Sequence, residues 1–93
     1  MPRRRDGGSA KPFVADWRDA VRDSSLRSSV KCVALVLSTY YPDVWPSITT
    51  LSRGASVARR STLAAIEKLE RVGFLDVRRG RGRAVNHYAL RYP

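Results

Sequence analysis

Cysteine and histidine are nearly missing from this sequence, which contains one of each, Cys32 and His87. A single thiol cannot close an internal disulfide, and it cannot supply the several ligands of a cysteine-based zinc site. No clustered carboxylates form an acid-base pair, and no nucleophile has a base beside it. We therefore expect no enzymatic activity, metal, cofactor or small-molecule ligand. Cys32 is predicted to be a small buried hydrophobe and His87 an exposed residue.

Long apolar runs are lacking as well. The run over residues 33–37 is far too short to span a bilayer, and the basic N-terminus is not followed by the apolar stretch of a secretory signal. An interfacial helix would combine basic residues with bulky apolar anchors, whereas the basic residues here lie elsewhere. We expect a cytoplasmic, nucleoid-associated protein without a membrane partner.

Acidic residues are scarce, with 8 Asp and Glu against 18 Lys and Arg, so the formal net charge is +10. The excess is concentrated in residues 53–93, which contain ten basic and three acidic side chains. Such an imbalance indicates a polyanionic partner. Hydrophobic residues make up 43% of the chain, which is sufficient for a folded domain, and 93 residues allow only one.

The domain is predicted to cover residues 12–93, after a flexible basic tail over residues 1–11. This tail combines glycine, proline and serine with Arg3, Arg4 and Arg5 and has nothing to bury. Its role stays open between an arm that contacts a polyanion and a disordered extension.

Two helices are predicted in the first half of the domain. The first occupies residues 13–23, where apolar residues recur at helical spacing. The second begins at a cap provided by Ser24 or Ser25. It ends near Tyr41, because Pro42 disfavours helical geometry in the residue before it.

Two further helices follow. Ser47 caps a brief third helix that loses its helical pattern by Gly54. The fourth stops at Gly73, and its apolar face carries Thr62, Ala65, Ile66 and Leu69.

After Gly73 the pattern alternates, which predicts a strand. Leu75 and Val77 lie on one of its faces, and the other carries Phe74, Asp76 and Arg78. A glycine-bearing tip over residues 80–83 leads to a second strand over residues 84–90, so the two strands form a hairpin. One face of the second strand carries Asn86, Tyr88 and Leu90.

Aromatic side chains can stack on single-stranded nucleic acid, but the helix and strand phases here favour core packing. Core positions are predicted for Trp17, Tyr40, Trp45 and Tyr88. The first helix either covers the core or presents Phe13 and Trp17 to a second subunit, and the pattern does not choose between these arrangements.

The segment LSRGASVARRSTLAAIEKLERVGFL, residues 51–75, resembles the helix-turn-helix of bacterial, phage and plasmid regulatory and replication proteins. The matching positions are Leu51-Ser52, Ser56-Val57-Ala58, Ser61-Thr62, Leu69-Glu70 and Gly73-Phe74-Leu75. Trp45-Pro46-Ser47 upstream and Asn86, Tyr88 and Leu90 downstream resemble the replication proteins. The resemblance implies an α+β winged helix-turn-helix, with a three-helix core, an extra N-terminal helix and a C-terminal two-stranded β-hairpin wing. Ser56 departs from the usual glycine, and Ala58 from the usual serine cap.

This resemblance implies that the fourth helix enters the major groove of double-stranded DNA. The exposed side chains of its first turns are then base-contact candidates: Arg59, Arg60, Leu63 and Ala64. Ser61 is expected to bond a phosphate. The wing arginines would contact phosphates or the minor groove, because they would repel one another without a counter-charge. They are Arg78, Arg79, Arg81 and Arg83.

Several alternatives remain open. A winged helix can also serve as a protein-protein interaction module. Within DNA binding, the resemblance fits phage or mobile-element proteins and leaves three roles: a transcription regulator, a replication-origin binder, and an excisionase-like factor in recombination. The small footprint predicts a homodimer or cooperative assembly on repeated half-sites.

Overall fold

The computed structural model describes residues 13–80 and 86–93, which fold into four helices and an antiparallel hairpin. The elements in chain order are α1 (Phe13–Arg22), α2 (Ser28–Ser38), α3 (Ile48–Ala55), α4 (Arg59–Val72), β1 (Leu75–Arg78) and β2 (His87–Leu90). The predicted α+β class is confirmed, and the hairpin is compatible with a wing. The predicted tail, Arg81 and Arg83 lie outside the described residues.

α2 lies at the centre of the fold, because it contacts α1, α3 and α4. Its inward face consists of Val30, Val33, Ala34 and Leu37, all buried. The predicted inner face of α4 is also buried, and α4 contacts β1 in turn. One core therefore runs from α1 through α2 and α4 to the hairpin.

α1 closes this core from the outside. Trp17 and Val21 are fully buried, whereas Phe13 at the helix start is partly exposed. The indole N–H of Trp17 donates to the carbonyl oxygens of Phe74, at 3.1 Å, and Arg91, at 2.9 Å. α1 thus covers the core of its own chain and is hydrogen-bonded to the residue just before β1 and to the residue just after β2.

α3 and α4 end in the same way. After α4, Gly73 has a left-handed backbone with φ of 96°, and the Phe74 N–H donates to the Leu69 carbonyl. After α3, Ser56 takes the left-handed position with φ of 56°, and the Val57 N–H donates to the Ser52 carbonyl. This backbone pattern caps the last carbonyls of a helix. Ser56 therefore adopts the conformation for which the resembled pattern uses glycine.

The predicted bounds of α2 are wrong at both ends. Its N-cap is Arg27, because the Ser24 hydroxyl donates to the Val21 carbonyl and accepts from the Leu26 N–H, which closes α1 instead. The helix ends at Ser38. The N–H groups of the next three residues each donate to the carbonyl three residues earlier. This is the hydrogen-bond pattern of a 3₁₀ turn, and it ends before Pro42.

Three predicted side-chain environments are also wrong. Cys32 is exposed, since it lies on the side of α2 away from the buried stripe. Tyr40 is 39% exposed and Trp45 is 52% exposed, so neither belongs to the core. Phe74 precedes β1, which begins at Leu75; it belongs to the cap of α4 and packs edge-on against Trp17.

Other predictions are confirmed. The Ser47 hydroxyl accepts from the Thr50 N–H at 3.1 Å and caps α3, which extends through Ala55, one residue past Gly54. His87 is exposed, and Tyr88 and Leu90 are buried on the inner face of the hairpin. The piece around Trp45 runs beside β2, where the Tyr88 N–H donates to the Val44 carbonyl at 2.8 Å.

Candidate nucleic-acid interface

The first two turns of α4 present five predicted contact residues on one exposed surface. These are Arg59, Arg60, Ser61, Leu63 and Ala64. Thr62 and Ala65, on the inner side of these turns, are buried. The helix is therefore fixed to the core while its outer side stays open. Leu63 is an apolar side chain left 48% exposed at the middle of this surface.

A hydroxyl bridge fixes α4 against α3. The Ser52 hydroxyl donates to Thr62 Oγ1 at 3.0 Å, and that hydroxyl donates in turn to the Ala58 carbonyl at 3.0 Å. Thr62 is fully buried, so the bridge lies between the helices rather than in solvent. The angle at which α4 leaves the turn is therefore held by packing and by hydrogen bonds.

The start of α4 has no side-chain cap. Ala58 occupies the N-cap position with an extended backbone, and no acidic residue lies in the first turn. The first N–H groups of a helix lack partners within the helix and carry the positive end of its dipole. Next to Arg59 and Arg60, this end is electropositive and suited to an anion.

A groove of about 640 Å³ runs between the start of α2 and α4. Ser61 and Ala64 line one wall, and three basic side chains line the groove as well: Arg27 just before α2, and Lys68 and Arg71 on α4. The Glu67 carboxylate also lines it and lies 3.6 Å from Arg71. The sequence prediction missed the three basic residues. Helical spacing from Ser61 places Lys68 and Arg71 on the same side of α4 and could have indicated them. Arg27 arrives only through the packing of α2 on α4.

The hairpin carries Arg78 on its exposed outer face, where it lies directly opposite His87. Arg79 has a different environment. Its guanidinium donates two hydrogen bonds to the Glu70 carboxylate of α4, at 3.0 and 3.2 Å. Arg79 therefore has a counter-charge within the fold, so the argument from repulsion among the wing arginines is weaker for this residue. The hairpin folds back over α4, which brings together two residues from different elements.

The ion pair shifts the pKa of both Glu70 and Arg79. The hydrogen bond from Arg79, followed by its charge, lowers the pKa of the Glu70 carboxyl below its usual range, and the reverse effects raise the pKa of Arg79. The pair stabilises the fold fully above the ordinary carboxyl pKa, and this contribution is lost as the pH falls through the lowered value. At neutral pH, the Glu70 carboxylate is therefore ionised and can pair with Arg79.

Within residues 13–80 and 86–93, no helix combines the length and apolar character needed to cross a membrane. The same ranges bring together no group of three or more His, Cys, Asp or Glu side chains that could hold a metal. No family model matches the chain, and no curated protein matches it.

Proposed function

We propose that this protein binds double-stranded DNA as a winged helix-turn-helix, with α3 and α4 as the helix pair and the hairpin as the wing. α4 enters the major groove, where Arg59 and Arg60 meet base edges. The observation that carries the proposal is the start of α4, which combines two exposed arginines with an uncapped helix end. An arginine can bond O6 and N7 of guanine together, and it is the commonest specific contact in that groove.

The surroundings of α4 support the same docking. The groove beside it brings Arg27, Lys68 and Arg71 to one flank, where a phosphate backbone runs past a helix seated in the major groove. On the hairpin, Arg78 is exposed. The exposed Leu63 and Ala64 offer apolar contacts to a thymine methyl group. Base contacts and backbone contacts thus have separate residues.

The biological setting is proposed from the resemblance of residues 51–75 to the helix-turn-helix of regulatory and replication proteins. We propose a phage or mobile-element protein that acts in transcription, replication or recombination. A single domain with one short recognition helix covers only a few base pairs. We therefore propose that two copies bind neighbouring half-sites about one helical turn apart.

Fluorescence anisotropy with duplex DNA across a salt series tests the proposal. With about 5–8 phosphates contacted, the association constant should fall roughly 500-fold to 20,000-fold between about 50 and about 200 mM salt. A duplex RNA of the same length is the control, because its deep narrow groove excludes the helix. Absence of duplex DNA binding at low salt would contradict the proposal and favour a protein partner.

Glu70→Gln should strengthen duplex binding. The substitution removes the carboxylate that holds Arg79 and leaves the guanidinium free to reach a phosphate. One added phosphate contact steepens the dependence of log affinity on log salt by about one unit. The salt series on the wild type and the variant measures this change of slope.

Asp23→Asn is the matched control. Asp23 also accepts two hydrogen bonds from one exposed arginine, Arg22, at 2.8 and 3.1 Å, but this pair lies at the end of α1. The two substitutions change the net charge equally. Equal effects on the salt slope would show that only overall charge matters and that Arg79 is not released onto DNA.

A further inference from the structure

Trp45 is an exposed tryptophan held in a fixed place. More than half of its surface, 52%, is open to solvent, whereas Trp17 is completely buried. Burial of an indole in the core would remove a large apolar area from water, and Trp45 gains little of this stabilisation. Single exposed apolar residues are common on protein surfaces, so the neighbours of Trp45 decide whether it marks a contact.

The backbone on either side of Trp45 is anchored. The carbonyl of Val44 accepts from the Tyr88 N–H at 2.8 Å, and the Val44 side chain is buried. On the other side, Pro46 restricts the backbone, and Ser47 caps α3. The indole is thus presented by a short extended segment that pairs with β2 and leads into a helix.

Trp45 is the first member of a row across the outer face of the hairpin. Its ring lies against the imidazole of His87, with 6.2 Å between centroids and 25° between planes. His87 is paired in register with Arg78 on β1, and both are exposed. Directly opposite residues on one face of a sheet lie within contact distance. The row therefore contains an indole, an imidazole and a guanidinium.

A shallow depression of about 270 Å³ adjoins this row and is lined by Asp76, Arg78, His87, Tyr88 and Ala89. Asp76 brings a carboxylate to it, but the guanidinium of Arg91 lies 3.6 Å from that carboxylate and offsets its charge. Arg78 remains as a cation beside the aromatic rings. Flat rings next to a cation are the combination that binds an unpaired base together with its phosphate.

We infer that the outer face of the hairpin binds single-stranded DNA, with one unpaired base stacked on Trp45 and its phosphate near Arg78. This activity goes beyond duplex binding and does not depend on it. Stacking requires a base face that is free of its neighbours, so a paired duplex does not satisfy the site. The basic net charge of the chain favours a nucleotide over an apolar peptide segment.

Intrinsic fluorescence tests the inference, because the two tryptophans differ so strongly in exposure. Titration with a short oligothymidine should quench the emission of Trp45 and leave that of buried Trp17 unchanged. In anisotropy with the labelled oligonucleotide, Trp45→Ala should bind about fivefold to a hundredfold more weakly, as expected for the loss of one base stack. Trp45→Phe should retain most of the affinity.

Tyr40→Ala is the matched control, since Tyr40 is another exposed aromatic residue that lies outside the row. Its single-strand affinity should equal that of the wild type, and duplex affinity should change less than about twofold in Trp45→Ala. Absence of quenching, or unchanged single-strand binding in Trp45→Ala, would overturn the inference. Equal losses for duplex and single strand would overturn it as well. If Trp45→Ala does not fold, the quenching of the wild-type emission and the single-strand affinity of Trp45→Phe decide.

Discussion

Trp17→Ala should strongly destabilise the protein. Removing a completely buried tryptophan costs about 3–5 kcal/mol, and a domain of this size has a free energy of unfolding of only about 5–15 kcal/mol. The change also removes the indole N–H that donates to the Phe74 and Arg91 carbonyls, so α1 loses its connection to the hairpin. Urea denaturation followed by far-ultraviolet circular dichroism measures the loss.

Phe13→Ala is the control on the same helix. Phe13 is partly exposed and contacts the rings of Tyr41 and Tyr92, with centroids 5.7 and 5.4 Å away. Each of these two ring pairs contributes about 0.5–1.5 kcal/mol, so the loss should be smaller than that of Trp17→Ala. Trp17→Phe separates the two contributions, because it retains a ring in the core but removes the donor. A Trp17→Ala variant as stable as Phe13→Ala would contradict the role of α1 as a closed side of the core.

The features that could be predicted from the sequence depend on local patterns. α4 carries a helical repeat over several turns and stops at Gly73, so its buried face, including Thr62 and Leu69, was predicted correctly. The hydroxyl of Ser47 sits immediately before an apolar helical pattern, and its capping role follows from that position. These elements are determined within a short stretch of chain.

The features that could not be predicted depend on how separate elements pack against one another. Arg79 meets Glu70 only because the hairpin folds back over α4, and neither residue has a local pattern that indicates the other. Trp45 belongs to a piece too short to reveal which face is buried. The pairing of Val44 with β2 turns the indole outward, against the preference of aromatic residues for the core.

One error concerns a serine hydroxyl that either of two neighbouring helices could use. Ser24 or Ser25 was predicted to cap α2, but the Ser24 hydroxyl closes α1, and Arg27 precedes α2 without a side-chain cap. A serine between two helices can serve either, and only the connection between them decides. The predicted contact surface on α4 does not depend on these ends. Its exposure follows from the buried stripe on the opposite side of the same helix.

Arg60→Ala is expected to reduce sequence discrimination more than overall affinity. Arg60 lies in the first turn of α4, is exposed, and has no ion pair among residues 13–80 and 86–93. In the proposed docking its guanidinium bonds a guanine edge. Loss of a bidentate base contact costs about 1–3 kcal/mol of discrimination against the wrong base. Affinity for a selected site should therefore fall about fivefold to a hundredfold, while affinity for random duplex falls only slightly.

Arg71→Ala provides the comparison within the same helix. Arg71 is also exposed and carries the same charge, but it lies in the last turn of α4, 3.6 Å from the Glu67 carboxylate. The N-terminal turns of a recognition helix contact base edges, so Arg71 should affect all duplexes alike. Competition binding with the selected site and its single-base variants measures both changes. If Arg71→Ala relaxes the preferred sequence and Arg60→Ala does not, α4 lies on DNA in the opposite direction.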